Sequence, residues 1–168
     1  MSVLTAVETQ IIDIIVTGIN RTGKSSFIRS LTQQAHYSHG WFSGVIPIDT
    51  NLDAHFVEPP AIHSSDYLWL RDMIASEDAP AYIVMLDSAR PETFGETIAV
   101  LQTIRAFHPK TPIALVCNRQ DHPMAWSEDD IRLGLGIPDD ILVKSCVATD
   151  MQSVKDVVID LLYAIWRT

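Results

Sequence analysis

The run Gly18-Ile-Asn-Arg-Thr-Gly23-Lys24-Ser25 sets two glycines, a lysine and a hydroxyl residue in the pattern G-x-x-x-x-G-K-[ST]. Between a strand and a helix, such a run binds phosphate. Its backbone amides and the helix N-terminus converge on an anion. The lysine ammonium reaches along the phosphates, and the Ser25 hydroxyl offers a hard oxygen to Mg²⁺. This assigns Gly18, Asn20, Arg21, Thr22, Gly23, Lys24, Ser25 and Ser26 to the phosphates, with Ser25 as the metal ligand. The alternative is an ordinary glycine-rich turn with an exposed lysine, and the flanking elements favour the phosphate reading.

A second group, Asn118-Arg119-Gln120-Asp121, directly follows the apolar run Pro112 to Cys117. An aspartate carboxylate there can accept from both the ring N–H and the exocyclic amine of guanine, a donor pair that adenine lacks. The tetrapeptide resembles the N-[KR]-x-D motif of Ras-like GTPases, with Arg119 keeping a long stem to lie against the base. Alone, N-x-x-D is a common helix-capping turn; its order after the phosphate loop and a strand makes it specific. The family's third guanine element falls after the next strand. Ser145-Cys146-Val147-Ala148 stands there and matches loosely, which implies base contacts from Cys146, Val147 and a backbone amide near Ala148.

The stretch Asp87-Ser-Ala-Arg-Pro-Glu-Thr-Phe94, the N-R-Q-D turn and the tail from Ile137-Pro138 through Val154-Lys-Asp-Val157 resemble the bacterial small GTPases of the MglA type, the gliding-motility switches. The resemblance covers nearly the whole chain. It implies an α/β P-loop NTPase fold: one Ras-like G domain over residues 1–168, with a six-stranded, mostly parallel sheet flanked by helices. It also implies GTP and GDP as ligands with Mg²⁺, slow GTP hydrolysis in a molecular switch, and a Roadblock-type regulatory partner.

The chain departs from that family where the second switch belongs. Val57-Glu58-Pro59-Pro60-Ala61 stands in place of a D-x-x-G-Q or T-P-G-Q core. Pro60 has no N–H to sense a γ-phosphate. Ala61 replaces the water-orienting glutamine, and Val57 leaves no carboxylate for the metal's outer shell. The catalytic candidates are Lys24, Arg21 as an arginine supplied in cis, and His63 as a water-positioning group. Gly44 or Val45 falls where the first switch needs threonine, with Ser43 and Thr50 nearby. Asn20 and Arg21 replace common loop glycines, and Asn20 tolerates left-handed geometry. These departures favour an alternative, a pseudo-GTPase that binds guanine nucleotide, or none, without turnover. A small-molecule kinase would need an arginine-rich lid, and Asp78 to Phe107 holds only Arg90 and Arg105.

The elements that must position these residues follow from periodicity. Strand-length apolar runs alternate with segments of helical period, as in β-α-β units. The expected order is a strand at Gln10 to Thr17, a helix from Lys24 to about Ala35, a long loop over His36 to Gly44, and strands at Val45 to Asp49 and His55 to Glu58. A short helix near Tyr67 to Ala75 precedes a buried strand at Ala81 to Leu86. Pro91 then opens a helix running to about Phe107, and Pro112 to Cys117 is the next strand. Ser127 with Asp130 caps a helix ending near Gly134 or Gly136, before a strand at Ile141 to Ser145. The last helix carries Met151, Val154, Val157, Val158, Leu161, Leu162 and Ile165 on one stripe. Tyr37, Trp41 and Phe42 shield the nucleotide, dock a partner or pack locally, and His36 and His39 read as surface residues.

A chain of 168 residues with formal net charge −9 suits one domain and repels nucleic acid and anionic lipid in general. Cys117 and Cys146 read as reduced core thiols. No run approaches the roughly 20 apolar residues of a membrane span, and Met1 to Thr9 lacks the marks of a signal peptide, so a cytoplasmic location without membrane insertion is expected.

Overall fold

The run Ala81 to Leu86 carries apolar side chains on both faces, so it needs cover on both sides, which helix layers about a parallel sheet provide. A computed structural model describes residues 8–60 and 79–168. Its elements are β1 (Gln10–Thr17), α1 (Lys24–Leu31), β2 (His36–Ser38), β3 (Trp41–Asp49), β4 (Leu52–Glu58) and β5 (Ala81–Asp87). A 3₁₀ turn (Pro91–Thr93) then runs into α2 (Phe94–Phe107), followed by β6 (Ile113–Asn118), α3 (Glu128–Gly134), β7 (Leu142–Ser145) and α4 (Met151–Trp166). The described strands form one seven-stranded sheet in the order β2-β3-β4-β1-β5-β6-β7. Strands β4, β1, β5, β6 and β7 are parallel, and β2 and β3 fold back antiparallel at one edge.

The period-two alternation of the strands divides the core in two. Ile14, Val16, Ile83, Met85 and Val116 face α1 and α4, where Phe27, Ile28, Val157 and Leu161 meet them. Ile15, Val84, Leu86 and Leu115 face the other way, onto Leu101 and Ile104 of α2 and Ile131 of α3. Both layers are needed to hold β1, β5 and β6 in register, and the carboxyl ends of those strands carry the residues singled out above. Among the described residues no helix is long and apolar enough to cross a membrane.

Several boundaries differ from expectation. Helix α1 ends at Leu31 rather than near Ala35 because Thr32 is already extended, at φ −150°. The expected loop over His36 to Gly44 is a hairpin instead, which raises the sheet from six strands to seven. His39 and Gly40, at φ 51° and 85°, make its two-residue turn, and Ser38 pairs with Trp41 across it. Both turn positions need left-handed backbone, which histidine adopts more readily than most residues. Strands β3 and β4 therefore begin earlier than Val45 and His55.

The aromatics of the hairpin pack locally: the Tyr37 and Phe42 rings lie 4.6 Å apart, and the Arg29 guanidinium sits 4.8 Å above Phe42. In α4 the apolar stripe starts at Val154 and runs to the partly buried Ile165. Met151 is exposed, because it opens the helix immediately after its Asp150 cap, a turn before the stripe begins. The helix expected near Tyr67 to Ala75 lies outside the described residues.

Candidate functional site

At the end of β1 the chain turns at Gly18, φ 139°, so close to β5 that a Cβ there would stand 2.5 Å from the Met85 carbonyl oxygen. Only glycine fits such an approach. The loop continues through left-handed Arg21 (φ 63°) and Gly23 (φ 97°). Asn20 was the residue expected to take left-handed geometry; Arg21 takes it instead. Thr22 Oγ1 and Lys24 Nζ both donate to the Ile19 carbonyl, at 3.0 and 2.8 Å, which draws the loop into a ring. Gly23 caps α1 with no side-chain hydrogen bond and no acidic residue in the first turn. The first-turn amides and the positive end of the helix dipole are therefore not neutralised by a capping side chain or a first-turn carboxylate. Lys24 is buried, and burial lowers its pKa, while the negative charge of Glu58 works in the opposite direction.

Strand β6 ends on Asn118, whose buried amide joins three separate segments. Its Nδ2 donates to the Thr22 carbonyl at 2.8 Å, and its Oδ1 accepts from the Ala148 amide at 2.8 Å. The phosphate-type loop, the N-R-Q-D turn and the loop after β7 are thereby fixed to one another. Between them lies a cleft of about 290 Å³. Arg21, Gly23 and Ser26 line it from the first segment, Asn118, Arg119 and Asp121 from the second, and Val147, Ala148 and Thr149 from the third. The Asp121 carboxylate is exposed at this cleft, and no described residue donates a hydrogen bond to it. The cleft thus has the exposed Asp121 carboxylate in one wall and the glycine loop in another.

Four further residues shape the site, and the sequence reading missed their part in it. Asp87, wholly buried at the end of β5, accepts from Arg119 Nη1 at 3.1 Å and from the Ala89 amide at 3.0 Å. The guanidinium of Arg119 is thus held by Asp87, where sequence reading had only its stem against a base. Ser88 adds a second link: its amide donates to the Asn118 carbonyl at 3.0 Å, and its hydroxyl accepts from Gln120 Nε2 at 2.9 Å. An Asp-Ser pair closing an apolar strand was the available signal for both. Thr149 lines the cleft one residue past the expected element. Glu58, the last residue of β4, accepts a 2.6 Å hydrogen bond from Ser25 Oγ. Val57 does lack a carboxylate, but the next residue delivers one to the hydroxyl assigned to a metal.

Other candidates stand apart. Cys146 is buried in the core under the cleft, its amide donating to the Cys117 carbonyl at 2.9 Å, and it contributes nothing to the cleft wall. Burial pushes the Cys117 thiol up to about 12 and that of Cys146 up to about 11. Ser43 and Gly44 are paired within β3, opposite Val57 and Phe56, and Val45 pairs with His55. Thr50 occupies the turn before β4, at the end of that strand remote from Glu58 and about 20 Å away along it. His63 and Ala61 lie outside the described residues. Among the described residues no group of three or more His, Cys, Asp or Glu side chains gathers as a metal centre. No protein-family model matches the chain, and no curated protein matches it in sequence.

Proposed function

We propose that this chain is a Ras-like P-loop protein that binds guanine nucleotide. The observation that carries the reading is the Asn118 amide, which closes the phosphate-type loop and the Asp121 turn around one cleft although 96 residues separate Asn118 from Thr22. On this reading the amides of residues 18–25, with Lys24, take the phosphates. Asp121 accepts from the guanine edge, and the Ala148 region closes the far side of the base. Ser25 would contribute an oxygen to Mg²⁺, a donor that suits a hard cation, and the cation would neutralise phosphate charge when bound.

A site open at the carboxyl ends of parallel strands, where the connections part to either side, is the usual place for a nucleotide in an α/β sheet. Retention of nucleotide tests the proposal. Purified protein is incubated with GDP, GTP or ATP and Mg²⁺, desalted, and the retained nucleotide identified. Retention of guanine nucleotide alone, lost in Lys24→Ala, is the expected result; retention of ATP, or of nothing, defeats it.

Turnover is a separate matter, and Pro60 favours a second reading on which the chain binds nucleotide without hydrolysing it. Having no N–H, it cannot donate to a γ-phosphate. Single-turnover phosphate release from bound GTP distinguishes a slow hydrolase from a switch with no turnover.

A further inference from the structure

Among the described residues, three that are not glycine have positive φ. His39 makes the turn between β2 and β3. The other two are Arg21 and Arg119, at 63° and 64°, and both line the cleft. Left-handed backbone is unfavourable for a long side chain, and it persists where the surroundings fix it, most often at ligand sites. Asp87 already engages the guanidinium of Arg119 at 3.1 Å. Arg21 is exposed and makes no hydrogen bond or ion pair with a described residue. Asp121 is in the same condition, so two opposite charges line one cleft without meeting.

By its place in the glycine loop alone, Arg21 would serve a γ-phosphate. The cleft wall associates it with other company. Arg21 shares that wall with Asp121, Val147, Ala148 and Thr149, whereas Lys24 and Ser25, the side chains assigned to phosphate and cation, take no part in it. From this we infer that Arg21 holds the nucleoside half of the ligand, its guanidinium laid over the face of the purine whose edge Asp121 reads. The inference rests on the guanine nucleotide reading above. A guanidinium is planar, weakly hydrated and always charged, so it stacks on an aromatic face and is drawn to its π electrons. The base is common to GDP and GTP, so this contact is indifferent to the γ-phosphate. An arginine aligned on that phosphate would favour GTP alone.

The test measures affinity for GDP and for a non-hydrolysable GTP analogue by calorimetry in Mg²⁺, in wild type, Arg21→Ala and Arg21→Lys. The alanine variant is expected to bind both ligands about tenfold more weakly, by the same factor for each. The lysine variant keeps the charge but not the planar group, and is expected to bind both more weakly than wild type. Arg21→Gly, which suits the left-handed backbone, repeats the test should the alanine variant fail to fold. A loss confined to the GTP analogue would give Arg21 to the γ-phosphate and overturn the inference. Undiminished affinity in the alanine or the lysine variant would overturn it as well. Wild type that binds neither ligand overturns the nucleotide reading itself.

Discussion

Asp87 and Arg119 meet at 3.1 Å across the ends of two neighbouring parallel strands, the carboxylate wholly buried and the guanidinium half exposed. The asymmetry determines what each substitution does. Removing Arg119 leaves a buried carboxylate with, among the described residues, only the Ala89 amide for compensation. Arg119→Ala should therefore cost about 1–3 kcal/mol of folding stability, as for loss of a charged partner at a buried group. Asp87→Asn keeps the packing and costs less. A double-mutant cycle by urea denaturation is expected to show coupling between the two positions, and strictly additive effects would mean that the pair contributes nothing.

Asn118 and Gly23 form the second tight relationship. A Cβ on Gly23 would run into the Asn118 amide, and Gly23 is also left-handed at φ 97°. Gly23→Ala should displace the amide from both of its partners. Asn118→Ala should leave the Thr22 carbonyl and the Ala148 amide without it, at a cost of about 1–3 kcal/mol for each group left unpaired. Both variants are expected to lose the cleft before they lose the sheet. Far-UV circular dichroism should remain native while ligand binding disappears, whereas full binding by either variant would refute this account of the site.

The frame of this site was legible because apolar runs and glycine placement are local signals. Gln10 to Thr17 and the α2 terminus at Phe107 coincide with the structure. The hairpin at 36–44 escaped because its turn uses His39 before Gly40, where Asn or Asp is the usual mark, and because β2 is only three residues long. Glu58 escaped for a different reason. Whether a carboxylate at a strand end reaches a hydroxyl 33 residues away depends on parallel register, and single-sequence reading does not fix register. The same holds for Asp87, whose partner lies on a loop 32 residues further along. Cys146 was over-read: it adjoins the cleft in sequence, but the alternation of its segment points it into the core.

Asp121 carries the base preference proposed here. Because its carboxylate has no donor among the described residues, replacing it disturbs no internal hydrogen bond, and its effect on ligand choice can be read cleanly. Asp121→Asn presents a donor where guanine also presents donors, so guanine nucleotide affinity should fall by about 10²-fold or more while xanthine nucleotide affinity rises. Competition between GDP and XDP measures the change. An unaltered preference for guanine would remove Asp121 from the base site.

Lys24 opposes stability to function, and pH exposes the conflict. Burial lowers its pKa below the ordinary 10.5, so in the window between its folded value and 10.5 the unfolded chain binds more protons than the folded one. Stability attributable to this group then rises with pH across that window, and the cost of the buried charge is greatest below it. Lys24→Met removes the charge while keeping the apolar stem. The Ile19 carbonyl retains its Thr22 hydroxyl donor, so no acceptor is stranded. Without nucleotide, the variant should unfold at a higher urea concentration than wild type at pH 7, by a margin that shrinks as pH approaches 10.5. With GDP and Mg²⁺ the order should reverse, because only wild type gains the stabilisation that follows from ligand binding to the native state. Wild type more stable than the variant without ligand would mean that the bond to Ile19 and the field of Glu58 outweigh desolvation at this lysine. Failure of GDP to reverse the order would mean that Lys24 does not hold phosphate.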